Sequence, residues 1–446
     1  MDIELCTVGG YNEVGKNMTA LRVGDEAVIL DMGIFLPNIV SFEEEGGHRR
    51  DLTAEELIKR EIIPNDNYIN KWKNLVKGIV ISHCHLDHSA ASVYLAPRYN
   101  APIIGTPYTI EVIRNMLRDD ELKIPNELKQ LNSNSKIRVS KNIEIEFIHI
   151  THSTPQTVIV SVNTPKGSIV YTNDFKFDNS PTMGKKPNYE RLKELGKEKV
   201  LAVIVDSLYS YHAKKTPSEK VAKEMLKEVM FGTENDENLI MATTFSSHIA
   251  RLSTLLEFGK QLDREVLFFG RSMWKYINAA EKCGLIDFKS QSTIYAYKGQ
   301  IQKKLKKIEK EGNRKDYLIV CTGGQGEPQS VLSKIAGGKF PFRFLKEDSV
   351  IFSNSVIPVD VNIKNRKEVE EKLMHKSVRI FKDIHISGHG GKEDIRDLIN
   401  ILNPEKIIPS HGHKHVTGGM EELGNEMGYK VDKEVFFMKN GERLML

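Results

Sequence analysis

Cysteine is scarce in this chain, with four in 446 residues. Cys6, Cys84, Cys283 and Cys321 stand far apart and form no CxxC pair. Neither a disulfide framework nor a cysteine-based structural zinc site is indicated, and a reducing, cytoplasmic setting fits best. Long hydrophobic runs are missing as well. No stretch approaches roughly eighteen consecutive apolar residues, and the opening "MDIELCTVGG" carries acidic positions, so neither a membrane span nor an export leader is expected. An excess of one charge is also lacking, because 64 basic residues face 60 acidic ones for a formal net charge of +4. That balance permits a polyanionic partner without demanding one. Internal repeats and low-complexity tracts are absent. A chain of this length can build two or three domains with cores of their own, so no metal is needed merely to fold.

What is present falls into two rhythms. The first part reads as short strands joined by turns: "IELCTVGG", "MTALRVG", "EAVILDMG", "KGIVIS", "IEIEFIHI" and the hairpin-like "TVIVSVNTPKGSIVYTND". The polar stretch at 38–75, with its "EEE" and "HRR" runs, reads as a surface insertion holding one short helix. After "KVLAVIVDS" helices and strands alternate, as in "SEKVAKEMLKEVMF", "NLIMATTF", "HIARLSTLLEFGKQL" and "REVLFFG". Such alternation predicts a parallel sheet covered by helices. The chain then returns through "IHISGHGG", the helix "KEDIRDLINIL" and the strand "KIIPSHGH". The predicted organisation is an α/β protein whose first domain spans 1–208 and 384–446, interrupted by a second domain at 209–383.

The chemistry concentrates in "VISHCHLDHSAAS", residues 80–92. In extended chain, positions i and i+2 point the same way, so His83 and His85 can hold one ion while Asp87 and His88 are displaced toward a second. A lone histidine beside a strand is ordinarily a core or surface residue; four potential ligands in HxHxDH spacing make a metal site. Further ligands must come from elsewhere in the chain. His152, Asp174 and His411 each follow a predicted strand, with His149, His413 and His415 as competitors. Asp174 is the choice for a carboxylate bridging two ions, and Asp31, ending "EAVIL", is placed behind a ligating imidazole to orient it.

The ordered set Asp31, "HCHLDH", His152, Asp174 resembles the metallo-β-lactamase superfamily, which implies an αββα sandwich with a two-metal hydrolytic centre. Asp206 in "VIVDS", His389 in "ISGHGG" and His411 in "PSHGH" resemble motifs A, B and C of the β-CASP branch, whose members act on nucleic acids; a histidine at motif C points to RNA. The stretches "GGYNEVGKNM", "TFSSHIAR", "CTGGQGEPQSVLSKIA" and "VIFSNSVIP" are similar to the ribonuclease J family, over essentially the whole chain and closest to its shorter, archaeal type. Gly390 and Gly391 depart from the bacterial pattern, in which a serine follows at 391 and contacts phosphate.

The resemblance implies an inserted β-CASP domain and a zinc-dependent ribonuclease that degrades single-stranded RNA from a 5′-monophosphate end. It implies two Zn²⁺ per chain, with Mn²⁺ or Mg²⁺ able to substitute in vitro: His83, His85 and His152 on one, Asp87, His88 and His411 on the other, Asp174 between them. Asp87, His389 and Asp206 are the expected catalytic residues, with His389 on the scissile phosphate. Gly323, Gly324, Gln325, Gly326, Ser353 and Ser355 are expected around a terminal phosphate, and Ser246, Ser247, His248 and Arg251 along the RNA path. A homodimer is the expected assembly. The rival readings are an endonuclease of the cleavage-and-polyadenylation type and an RNA-binding scaffold without catalysis.

Overall fold

A computed structural model describes residues 1–44, 46–233 and 237–446; Glu45 of the "EEE" run lies outside the described residues. The chain divides into two compact units, one made of Met1–Asn179, Gly184–Thr216 and Ser387–Leu446, the other of Ser180–Met183 and Pro217–Ile386. Among the described residues no helix is long and apolar enough to cross a membrane.

The first unit is built on two sheets. One has seven strands in the order Arg443–Met445, Ile3–Gly9, Met18–Val23, Glu26–Leu30, Val76–Ile81, Ile103–Gly105, Leu128–Gln130. The other has six, in the order Ile407–Ser410, Val200–Asp206, Gly167–Tyr171, Val158–Thr164, Glu144–His149, Ser135–Arg138. Alternate residues of both sheets meet in one core, with Leu21, Val28, Leu30 and Val80 from the first against Phe147, Val160, Ile169 and Ile204 from the second. This is the inner layer of a sandwich. The outer face of the second sheet is covered by helices. Lys392–Leu402 buries Ile395, Leu398, Ile399 and Leu402, a stripe at helical spacing, against Val203, Val205 and Ile407.

The second unit is a six-stranded sheet in the order Thr293–Tyr295, Glu265–Phe269, Tyr317–Cys321, Ile240–Thr243, Ser349–Phe352, Arg379–Phe381. Every pairing in it is parallel, as the alternation of helices and strands requires. Its interior strands Ile240–Thr243, Tyr317–Cys321 and Ser349–Phe352 are buried at every residue and mostly apolar, in keeping with burial on both faces.

The insertion at 38–75 is more ordered than a surface loop with one helix. It contains the helices Leu36–Glu44 and Ala54–Lys59 and the 3₁₀ segments Arg49–Asp51 and Asp66–Leu75. Thr53 and Glu56 cap the start of the second helix reciprocally, while Ile69 and Trp72 are buried. Residues 207–216 stay with the first unit, because Lys392 N–H donates to the His212 carbonyl at 2.8 Å and Thr216 N–H to Asp394 at 2.8 Å.

Candidate metal centre

Segments following strands of the first unit deliver Asp31, His83 to His88, His152, Asp174 and His411, Asp206 ends a strand, and His389 comes from the loop before the helix Lys392–Leu402. Beyond the strand Val76–Ile81 the backbone stays extended through His83 and His85, and His85 then caps the short helix Leu86–Ser89. The change of periodicity turns Asp87 and His88 away from the first two histidines. Asp31 (φ 59°), Asn173 (φ 49°) and His411 (φ 65°) each adopt left-handed backbone just after a strand. Such strain is tolerated where the surrounding fold dictates a side-chain direction.

Two sets of ligand atoms converge. His83, His85, His152 and Asp174 form one, Asp87, His88, His411 and Asp174 the other, each within 4.8 Å. Asp174 belongs to both. Its Oδ2 lies 3.6 Å from His83 Nε2 and 3.6 Å from His152 Nε2, and its Oδ1 3.1 Å from His88 Nε2. His85 Nδ1 stands 3.1 Å from His152 Nε2. Asp87 Oδ2 lies 3.7 Å from His88 Nε2 and 3.8 Å from His411 Nε2.

The far sides of the rings fix which nitrogen faces inward. Asp31 accepts from His88 Nδ1 at 2.7 Å, from the Tyr171 hydroxyl at 2.8 Å, and from Ser82 through both N–H (2.7 Å) and Oγ–H (2.8 Å). Ser82 Oγ is in turn 3.1 Å from His83 Nδ1. One carboxylate thus orients a ligand of each set, directly for His88 and through a serine for His83. His152 Nδ1 donates to the Gly388 carbonyl at 2.8 Å. A Cβ at 388 would lie 2.7 Å from that nitrogen, so only glycine lets the backbone come this close.

These contacts suit divalent cations. His83 Nε2 is buried and has no hydrogen-bond partner, which costs free energy unless a cation takes the lone pair. Burial, reinforced by neighbouring imidazoles, pushes His83 and His152 well below the usual histidine range. Burial likewise takes His85 down to about 4, so all three rings keep a lone pair at neutral pH. Burial also disfavours the charged form of His88, but Asp174 and Asp87 outweigh it and hold the ring well above its ordinary value; a cation must displace that proton. Imidazole nitrogen and carboxylate oxygen are the donors expected of zinc or manganese.

His389 forms a third point of the centre. Its Nδ1 is 2.8 Å from Asp206 Oδ2 and its Nε2 3.9 Å from Asp174 Oδ2. Asp206 Oδ1 also accepts the Leu208 N–H at 3.0 Å, so this acid both caps the following turn and orients His389. Burial lowers His389, but the two carboxylates prevail and raise it to about 9.

The competing histidines go elsewhere. His149 Nε2 is 2.9 Å from the Lys185 carbonyl, and His413 and His415 are exposed and stacked on one another. Asn17 joins the centre from outside the expected set. It is buried, its Nδ2 donates to the Asp87 carbonyl at 3.1 Å, and its amide reaches His411 Nδ1 at 2.9 Å and His88 Nε2 at 3.0 Å. Its signal was its place in "GGYNEVGKNM", one of the stretches similar to the ribonuclease J family.

In the second unit the expected RNA-contacting residues gather after the C-terminal ends of three adjacent parallel strands, where such sheets bind ligands. Gln325 joins two of the loops, its Nε2 donating to Ser355 O at 2.9 Å and its Oε1 accepting from Ile357 N–H at 2.8 Å. The Gly324 carbonyl accepts from Asn354 Nδ2 at 2.9 Å and Arg366 Nη1 at 2.6 Å. Ser355 is exposed and Ser246 partly so, bonded to Ser272 Oγ at 2.9 Å. Ser247, His248 and Ser353 are buried, and Arg251 is fully buried, its guanidinium bonded to Glu219, Ser353 and the Ile384 carbonyl.

A sandwich with this convergent His/Asp centre defines a metallo-hydrolase. Residues 11–227 match the metallo-beta-lactamase superfamily, 237–371 the ribonuclease J beta-CASP domain, and 377–435 the Zn-dependent metallo-hydrolase RNA specificity domain. The ribonuclease J of Methanocaldococcus jannaschii is 44% identical over 445 residues, covering 100% of this chain and 99% of that protein. That of Pyrococcus abyssi is 42% identical over 98% of this chain and 96% of that protein. Ribonuclease J 1 of Streptococcus pyogenes is 30% identical over 100% of this chain but 74% of its own length. The chain belongs to the ribonuclease J family. A solved structure of a protein of unknown function from Enterococcus faecalis shares the fold, with a TM-score of 0.66 at 17% identity over 100% of both chains.

Proposed function

We propose that the protein is a zinc-dependent ribonuclease that degrades single-stranded RNA from its 5′ end, in a cytoplasmic setting that its scarcity of cysteine suits. The observation that carries the hydrolytic reading is the sharing of Asp174 between two three-residue ligand sets. When bound, a pair of divalent ions supplies Lewis acidity toward a phosphodiester and its attacking water. His83, His85 and His152 would hold one ion and Asp87, His88 and His411 the other, with Asp31 keeping the His88 and His83 rings aligned. His389, held by Asp206, presents a protonated Nε2 to a non-bridging oxygen of the scissile phosphate, where negative charge gathers during attack. Asp206 retains that proton on the ring.

The 5′-end preference rests on the loops 322–328 and 353–357 of the second unit, whose family match includes the RNase J beta-CASP domain. The loop 322–328 lies between a buried strand and the helix Val331–Ala336, the strand-to-helix position at which parallel sheets commonly bind anions. The test is a time course on RNA labelled at either end and carrying a 5′-monophosphate or triphosphate. Short products from the 5′ label, with the monophosphate faster, are expected. Internal fragments first, with equal rates for both ends, would instead mark an endonuclease. Elemental analysis of active protein should find close to two zinc ions per chain, and light scattering tests the expected homodimer.

A further inference from the structure

The turn at 207–215 has no task in this reading, yet backbone bonds fix it in place. His212 N–H donates to the Tyr209 carbonyl at 2.9 Å, and the His212 carbonyl accepts from Lys214 N–H at 2.7 Å and Lys392 N–H at 2.8 Å. Tyr209 pairs with Gly391 in a parallel bridge. A Cβ on Gly391 would meet the Lys214 carbonyl at 2.0 Å and the His212 carbonyl at 3.2 Å. The turn therefore fills the space that a side chain at 391 needs, two residues beyond His389.

The rings that this seating presents are arranged for stacking. Tyr209 and His212 lie nearly parallel, 4.5 Å between centroids at 13°. Tyr209 also meets His389 edge-on, 5.8 Å away at 90°, and its hydroxyl is hydrogen-bonded to Ser387. Tyr209 is half-buried, whereas His212 and the neighbouring Tyr211 and Lys214 are exposed. A pair serving only to pack gains little by leaving its outer ring in water. An exposed aromatic face with a lysine beside it is the chemistry that takes a nucleobase and its backbone.

We propose that Tyr209 and His212 form a stacking platform for one base of the RNA, that of a nucleotide adjoining the phosphate at His389. The platform selects an unpaired, unstacked nucleotide and so favours single strands. It rests on the ribonuclease reading and adds to it a residue-level contact outside the metal centre.

The test uses the full-length chain. RNA carrying 2-aminopurine at successive positions is bound to an Asp87→Asn variant, which is expected to hold RNA without cutting it. Fluorescence is expected to be quenched by the protein at one position. Adding His212→Ala should abolish that quench, and His212→Phe should restore it. In the cleaving protein, His212→Ala should lower kcat/KM at least about fivefold, with the loss in KM rather than kcat. An abasic nucleotide at the quenched position should erase the difference between the two proteins. RNA cut normally, with quench and KM indifferent to residue 212, overturns the platform alone. A wild-type chain that does not cut RNA sinks the ribonuclease reading and the platform with it.

Discussion

Each unit buries a cluster of charged side chains, and the two clusters behave as opposites. In the second unit Arg251 is fully buried, with Nε 2.6 Å from Glu219 Oε1, Nη2 2.8 Å from Oε2, and Nη1 2.6 Å from Ser353 Oγ and 3.1 Å from Ile384 O. Every nitrogen of the guanidinium meets an oxygen, so the charges answer one another. In the first unit the orienting bonds lie on the outer sides of the rings while the inner nitrogens and carboxylate oxygens converge, and His83 Nε2 has no hydrogen-bond partner. Burial of charge therefore does not by itself mark a functional centre. Convergent lone pairs that the protein leaves unanswered do, because only a cation can repay their desolvation.

The largest effect is expected where the two ligand sets meet. Asp174→Asn should remove metal from both sites together and lower RNA hydrolysis by orders of magnitude, measured by elemental analysis alongside the rate. A variant that loses one ion and keeps the other would break the picture of a shared carboxylate.

Next comes the self-satisfied cluster. Glu219→Gln strands the buried Arg251 charge and should cost about 3–5 kcal/mol in denaturant unfolding, whereas Arg251→Met with Glu219→Leu should cost much less. Equal losses would mean that the pair is not the self-contained unit its geometry implies. The same carboxylate gives a pH signature. Burial alone would raise Glu219, but His248 and Arg251 prevail and hold it far below its ordinary value of 4.5. Its stabilising contribution is complete above that value and is lost as pH falls below it. Unfolding midpoints followed downward through the acid range should drop more steeply in wild type than in the double variant.

Asp31→Asn is expected to fall between these and the surface. It leaves the ligands in place but weakens the hold on His83 and His88, for a loss of about 10–100-fold in metal affinity, read by competition with a chelator. The smallest effect belongs to the exposed Lys223–Glu257 pair, at 28% and 46% side-chain exposure. Replacing either partner should change stability by less than about 1 kcal/mol, which sets the scale against which the buried clusters stand out.

By itself the sequence determined whatever depends on neighbours along the chain. The passage from extended backbone at His83 and His85 to a helical turn at Asp87 and His88 is a local matter, and it separates two ligand sets within six residues. The alternating helices and strands of 217–386 likewise require a parallel sheet. Tertiary structure decided the choices among residues that local pattern treats alike. His149 ends the strand that His152 follows, but only His152 turns its Nδ1 to the Gly388 carbonyl, which arrives from more than two hundred residues away. Asn17 became a site residue through His411, 394 positions away, Ser82 through Asp31, 51 away, and Arg251 an interior residue through Ser353, 102 away. Side-chain spacing along a strand or helix fixes direction only relative to that element; which donors share a point in space is set by how the sheets register and pack.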